Sequence, residues 1–169
     1  MSIRFDGKVA IVTGAGGGLG RCHALDLASR GAKVVVNDLG GSVDGTGGSL
    51  SAAEKVVEEI KEAGGEAISN GASVTDMSQV EEMVKQTMET WGRIDILVNN
   101  AGILRDKSFS KVTDEDFRLV LEVHLMGTVN CTKAVWDIMK EQSYGRILVT
   151  SSSSGCLLYT SPSPRDLST

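Results

Sequence analysis

Several short segments carry residue types that could hold or act on a ligand. Thr13-Gly14-Ala15-Gly16-Gly17-Gly18-Leu19-Gly20 follows an apolar run and precedes a helical pattern. A glycine-rich turn in that setting lets the backbone approach a pyrophosphate, which then rests against the N–H groups and dipole at the helix N-terminus. The spacing is T-G-x-x-x-G-x-G, with Gly14, Gly18 and Gly20 at its fixed positions, and not G-x-G-x-x-G. Alone, the segment has a glycine-rich connector as its plainer alternative; the flanking patterns favour the phosphate reading.

Asp38 ends the second apolar run. A carboxylate there accepts hydrogen bonds from both ribose hydroxyls of an adenosine and repels a 2′-phosphate. Ala15, Gly16 and Gly17 offer no cation to hold such a phosphate, so the pattern favours NAD over NADP. A capping or solvated aspartate is the plainer alternative. Asn99-Asn100-Ala101-Gly102 follows another apolar run. Its small residues admit a ligand close to the backbone, and an Asn side chain can brace two strand ends, although a plain turn uses similar residues. Ser151–Ser154, before Gly155, stand where the fifth apolar run ends. That position lines the ligand crevice of parallel sheets, with a polar strand exit as the competing reading.

The hydrophobic pattern supplies elements to position these segments. Lys8–Thr13, Lys33–Asn37, Glu66–Ser69, Ile94–Asn99 and Arg146–Thr150 read as short strands. Helices are expected over 18–30, with Leu19, His23, Leu27 and Arg30 at helical spacing, over 49–63, and over Asp76–Trp91. A fourth, Thr113–Lys140, opens on a Thr113/Asp116 pair spaced like a capping box. Phe117, Val120, Leu121, Leu125, Thr128, Thr132, Val135 and Met139 then keep one helical period, which predicts an unbroken helix. Residues 39–48 form a glycine-rich loop. Strand alternating with helix predicts an α/β fold, a doubly wound parallel sheet.

The 169 residues carry 17 basic and 22 acidic side chains, a formal net charge of −5, and are 41% hydrophobic. That content supports one packed domain and excludes a mostly disordered chain. The acidic balance argues against a nucleic-acid partner, which would require a basic surface. Cys22, Cys131 and Cys156 lack C-x-x-C spacing, against both a disulfide framework and a zinc site. Neither a secretory leader pattern nor an apolar run of about 18 residues is present, so an intracellular protein without a membrane span is expected.

Taken together, T-G-x-x-x-G-x-G, Asp38, N-N-A-G and the serine run resemble the short-chain dehydrogenase/reductase family over residues 4–155. The resemblance implies a Rossmann domain and hydride transfer between a nicotinamide and an alcohol or ketone. VVVNDLGGSVDGTGGS, AGILRDKSF and EVHLMG are similar to one subgroup, the (3R)-hydroxyacyl-CoA dehydrogenase units of β-oxidation enzymes. By that resemblance Gly14, Gly18, Leu19 and Gly20 would hold the pyrophosphate of NAD and Asp38 its ribose. Ser73 and Val74 would flank the adenine, and Asn100, Ala101 and Gly102 would back the nicotinamide ribose. Ser152 would bind the substrate oxygen. His124 stands where most of the family carries a proton-relay asparagine; a hydrogen-bonded core histidine is the alternative. An acyl-CoA-type small-molecule substrate, a homo-oligomeric parent enzyme and a peroxisomal or cytoplasmic location are further expectations. Other alcohol substrates, or a non-catalytic NAD-binding module, remain open alternatives.

The pattern breaks near the end. The family's acid/base is a tyrosine thirteen residues after the serine, with a lysine four further on whose charge lowers the phenol's pKa from about 10. Counted from Ser152, those positions hold Arg165 and Thr169. Tyr159 lies too near Ser152 and is not followed by the lysine, and Tyr144 precedes the fifth strand as a packing residue. Both prolines, Pro162 and Pro164, fall in 156–169, a stretch without periodicity that resembles translated adaptor sequence. The expected division is therefore a C-terminally incomplete Rossmann domain over 1–155 and a non-native or disordered tail over 156–169, with no dehydrogenase activity in this chain.

Overall fold

The computed structural model describes residues 3–41, 51–105 and 107–152. Five parallel strands form one sheet in the order β3-β2-β1-β4-β5: β1 Val9–Thr13, β2 Lys33–Asn37, β3 Glu66–Asn70, β4 Ile96–Asn99 and β5 Arg146–Val149. Helices α1 Gly18–Ser29 and α2 Ser51–Glu62 cover one face; α3 Met77–Trp91 and α5 Gly127–Glu141 cover the other. Side-chain alternation explains the two layers. Ala10, Val12, Val34, Val36, Ile96 and Val98 point to the first layer, and Ile11, Val35 and Leu97 to the second. Every β1 residue is buried, as a strand covered on both faces must be. The doubly wound parallel sheet is thus the observed fold.

The chain runs outward from β1 to β3, then returns across β1 to build β4 and β5. The order reverses between β1 and β4, so a crevice opens beyond their carboxyl ends. At the opposite end, Asp95 is fully buried and receives Arg93 at 2.6 Å, the Val9 N–H at 3.0 Å and Lys8 at 3.2 Å. Burial pushes its carboxyl up, but the bonds from Arg93, Val9 and Lys8 outweigh this and hold it below the usual carboxylate range. Tyr144 packs at that same end, with Lys8 Nζ 3.7 Å from its ring centroid and Arg146 on the ring as well.

Two expectations about helices change. In α1 the inward stripe is Gly20, Ala24 and Ala28, while Leu19 is 66% exposed. Small residues let the helix lie close on the sheet, with Leu27 of the expected set packed half-buried against the same cluster. The helix expected over Thr113–Lys140 is broken into α4 Asp114–Leu121, a π-helical turn Glu122–Met126, and α5. The wider turn shifts the phase of the apolar stripe. Beyond it Gly127, Cys131, Val135 and Met139 face inward, whereas Phe117 and Leu125 are 55% and 57% exposed. Thr113 caps α4 by accepting the Asp116 N–H at 3.1 Å; the Asp116 carboxylate binds Lys107 and Arg105.

Strand and helix limits otherwise move by one or two residues. Asp76, expected inside α3, is its cap, accepting the Ser78 and Gln79 N–H groups. Residues 42–50 of the expected loop and helix start, and the whole of 153–169, lie outside the described residues. No described helix is long and apolar enough to cross a membrane.

Candidate cofactor site

The crevice beyond β1 and β4 is a cavity of about 830 Å³. Gly14, Gly18, Leu19, Asp38, Ser73, Val74, Asn100, Ala101 and Gly102 line it. Gly16, Asn37 and Ile103 line it too.

The glycine turn is fastened to the end of β4. Thr13 Oγ1 accepts the N–H groups of Asn100 and Ala101, both at 3.0 Å. Asn100 Nδ2 donates to the carbonyls of Thr13 at 3.0 Å and Gly14 at 3.1 Å. The Asn side chain thus braces two strand ends. Gly20 sits beneath this clasp and not on the cavity wall: a Cβ there would collide with the Gly14 carbonyl and lie 2.6 Å from Asn100 Nδ2. Gly14 is needed twice over, with φ +61° and a built Cβ only 2.8 Å from Ala101 Cα.

Asp38 follows β2 and stands half-buried. Its Oδ2 accepts the Gly16 N–H and its Oδ1 the Gly40 N–H, each at 2.7 Å. The carboxylate therefore shapes the glycine turn as well as facing the cavity. By contrast a Cβ at Gly17 or Gly18 would meet nothing within 4 Å. This leaves open space at the N-terminus of α1, which no side chain caps and whose first turn holds no acidic residue. A cradle of this kind at a helix N-terminus fits the pyrophosphate of a dinucleotide.

His124 lies in the π-helical turn and is exposed, neither buried in the core nor on the cavity wall. Its ring abuts Gly102, where a Cβ would lie 2.7 Å from Cε1. Its Nε2 is 3.0 Å from the Ile103 nitrogen and 2.9 Å from the Ile103 oxygen. One tautomer accepts the N–H and the other donates to the carbonyl. His124 thus touches the cavity through residues 102–103. Ser152 is exposed beyond β5; Thr150, two residues earlier, lines the cavity, and its N–H donates to the Asn99 carbonyl at 2.9 Å. Arg165 and Thr169 lie outside the described residues.

A family model described as short chain dehydrogenase matches residues 8–163. The chain belongs to this family. It is 58% identical over 153 residues to peroxisomal multifunctional enzyme type 2 of Mus musculus, covering 90% of this chain and 20% of the relative. It is 56% identical to peroxisomal multifunctional enzyme A of Dictyostelium discoideum over 92% of this chain and 34% of that protein. The chain spans 20% and 34% of the lengths of these two relatives. Among solved structures, a 7α-hydroxysteroid dehydrogenase complexed with NADH and 7-oxo glycochenodeoxycholic acid aligns with a TM-score of 0.81 and 34% identity, over 90% of this chain and 56% of that one.

Proposed function

We propose that the cavity binds NAD, and that the chain is the cofactor-binding part of an NAD-dependent 3-hydroxyacyl-CoA dehydrogenase. The observation that carries the cofactor reading is the joining of Asp38 to the glycine turn. The carboxylate reserved for ribose hydroxyls and the N–H groups reserved for pyrophosphate belong to one hydrogen-bonded unit. Gly14, Gly18 and Leu19 serve the pyrophosphate, Gly20 supports that turn from beneath the Asn100 clasp, and Asp38 serves the adenosine ribose. Ser73 and Val74 flank the base, and Asn100, Ala101 and Gly102 lie behind the nicotinamide ribose. When bound, NAD accepts the hydride from the substrate carbon.

The substrate assignment rests on the subgroup motifs and on the identity to the peroxisomal multifunctional enzymes. Those relatives also favour a peroxisomal parent. Ser152 is assigned to the substrate oxygen and His124 to the proton path, leaving the hydroxyl proton without an acceptor in this chain, since Arg165 and Thr169 occupy the tyrosine and lysine positions. A homo-oligomeric parent accords with the exposed apolar residues Phe117, Leu121, Leu125 and Trp136 on one helical region.

The test mixes the purified chain with NAD and a (3R)-hydroxyacyl-CoA and follows absorbance at the NADH band. The expected result is no NADH formation; steady NADH production would overturn the claim that this chain lacks its acid/base.

A further inference from the structure

From Asp114 to Met126, through α4 and the π-helical turn, Asp116 is the only buried residue. Phe117, Leu121 and Leu125 are exposed, while Leu119 and Val123 are half-buried and line the cavity. Asp116 and Leu119 stand three residues apart in α4 and so share one helix face. The His124 contact with Ile103 ties down the π-helical turn and not α4 itself. The one buried anchor of α4 is therefore a carboxylate.

That carboxylate is held by the loop after β4. Its Oδ2 accepts Lys107 Nζ at 2.6 Å and its Oδ1 accepts Arg105 Nη1 at 3.3 Å. A side chain only 10% exposed needs such partners to stay charged. Arg105 is the looser of the two: its bond is long, and its Nε is the only buried side-chain nitrogen or oxygen among the described residues without a hydrogen-bond partner. Lys107 makes the short bond. The same loop sends Ile103 and Leu104 to the cavity wall, so one ionic cluster joins two separate parts of that wall, 103–104 and 119–123. None of Arg105, Lys107 and Asp116 lines the cavity itself. We infer that Asp116 and Lys107 are positioning residues of the site, their ion pair setting where α4 stands against the loop and hence how the cavity fits its ligand. They act through Leu104 and Leu119. The inference rests on the dinucleotide reading above and deepens it by naming what holds the wall in place.

The test compares the unaltered 169-residue chain with Lys107→Met and Asp116→Asn, by amide hydrogen exchange and by calorimetric titration with NAD. Lys107→Met leaves the sequence of α4 untouched, so a change in α4 protection reports the ion pair alone. In both variants α4 amides should exchange about tenfold faster, β1 and β2 amides should stay within about twofold of the parent, and NAD should bind about three- to tenfold more weakly. Asp116→Glu keeps the charge and should recover part of both losses. Unchanged α4 exchange, or acceleration spread equally over β1 and β2, overturns the anchoring. Faster α4 exchange with unaltered NAD affinity overturns the positioning role and leaves the dinucleotide reading standing. If Asp116→Asn fails to fold, Lys107→Met carries the test. Failure of the unaltered chain to bind NAD overturns the dinucleotide reading and the positioning role with it.

Discussion

Gly16 and Asp38 meet across the glycine turn: the Gly16 N–H donates to Asp38 Oδ2 at 2.7 Å, and a Cβ on Gly16 would lie 2.8 Å from Asp38 Cγ. The same Cβ would be 2.9 Å from Ala52 Cβ. Gly16→Ala should therefore push the carboxylate away, lowering stability by about 1–3 kcal/mol and NAD affinity by about tenfold. Gly17→Ala, one residue on and with nothing within 4 Å of its Cβ, should stay within about 0.5 kcal/mol of the parent stability. Urea unfolding and NAD titration of both variants check this pair. Equal unfolding midpoints for the two would contradict it.

Gly102 and His124 form a second pair of this kind. Gly102→Ala should cost about 1–3 kcal/mol because its methyl group would enter the imidazole, 2.7 Å from Cε1. His124→Ala removes both the obstacle and the bond to Ile103. The double variant should therefore be more stable than the two single effects added together, by about 1 kcal/mol or more. A double-mutant cycle by denaturant unfolding reads this coupling, and strict additivity would rule out the contact.

Asp95 sets part of the acid limit. Its carboxyl is held below its ordinary value in the folded chain, so the unfolded state binds the proton more readily. The stabilisation is therefore complete above the unfolded pKa of about 3.9, from roughly pH 5 upward, and is lost as pH falls toward the lower folded value. Asp95→Asn should cost about 2 kcal/mol at pH 7, less than for a fully buried pair because Lys8 and Arg93 can rehydrate. It should also flatten the decline below pH 5. Unfolding midpoints from pH 3 to pH 7 for both chains measure the difference.

The fold was legible in the sequence where periodicity alone decides it. β1, β2 and β4 are short, apolar and end at the motifs, and parallel strands buried on both faces allow little else. The glycine turn was legible as a motif, but not which glycine answers to which constraint. Gly16 owes its identity to Asp38, Gly20 to the Gly14 carbonyl and Asn100, and these meet only in the folded chain. The π-helical turn was hidden by a stripe that keeps its period in sequence while the backbone changes pitch. The inward face of α1 was masked for the opposite reason: small residues carry little hydrophobic signal, yet they set how closely helix and sheet approach.

The central claim is that Asp38 and the glycine turn make an NAD site, and calorimetric titration of the 169-residue chain with NAD and NADP tests it most directly. A 2′-phosphate would place negative charge beside a half-buried carboxylate with no facing cation from residues 15–17. NAD is predicted to bind, NADP to bind at least about tenfold more weakly, and Asp38→Asn to narrow that gap. Equal or tighter binding of NADP, or no binding of either, would contradict the account.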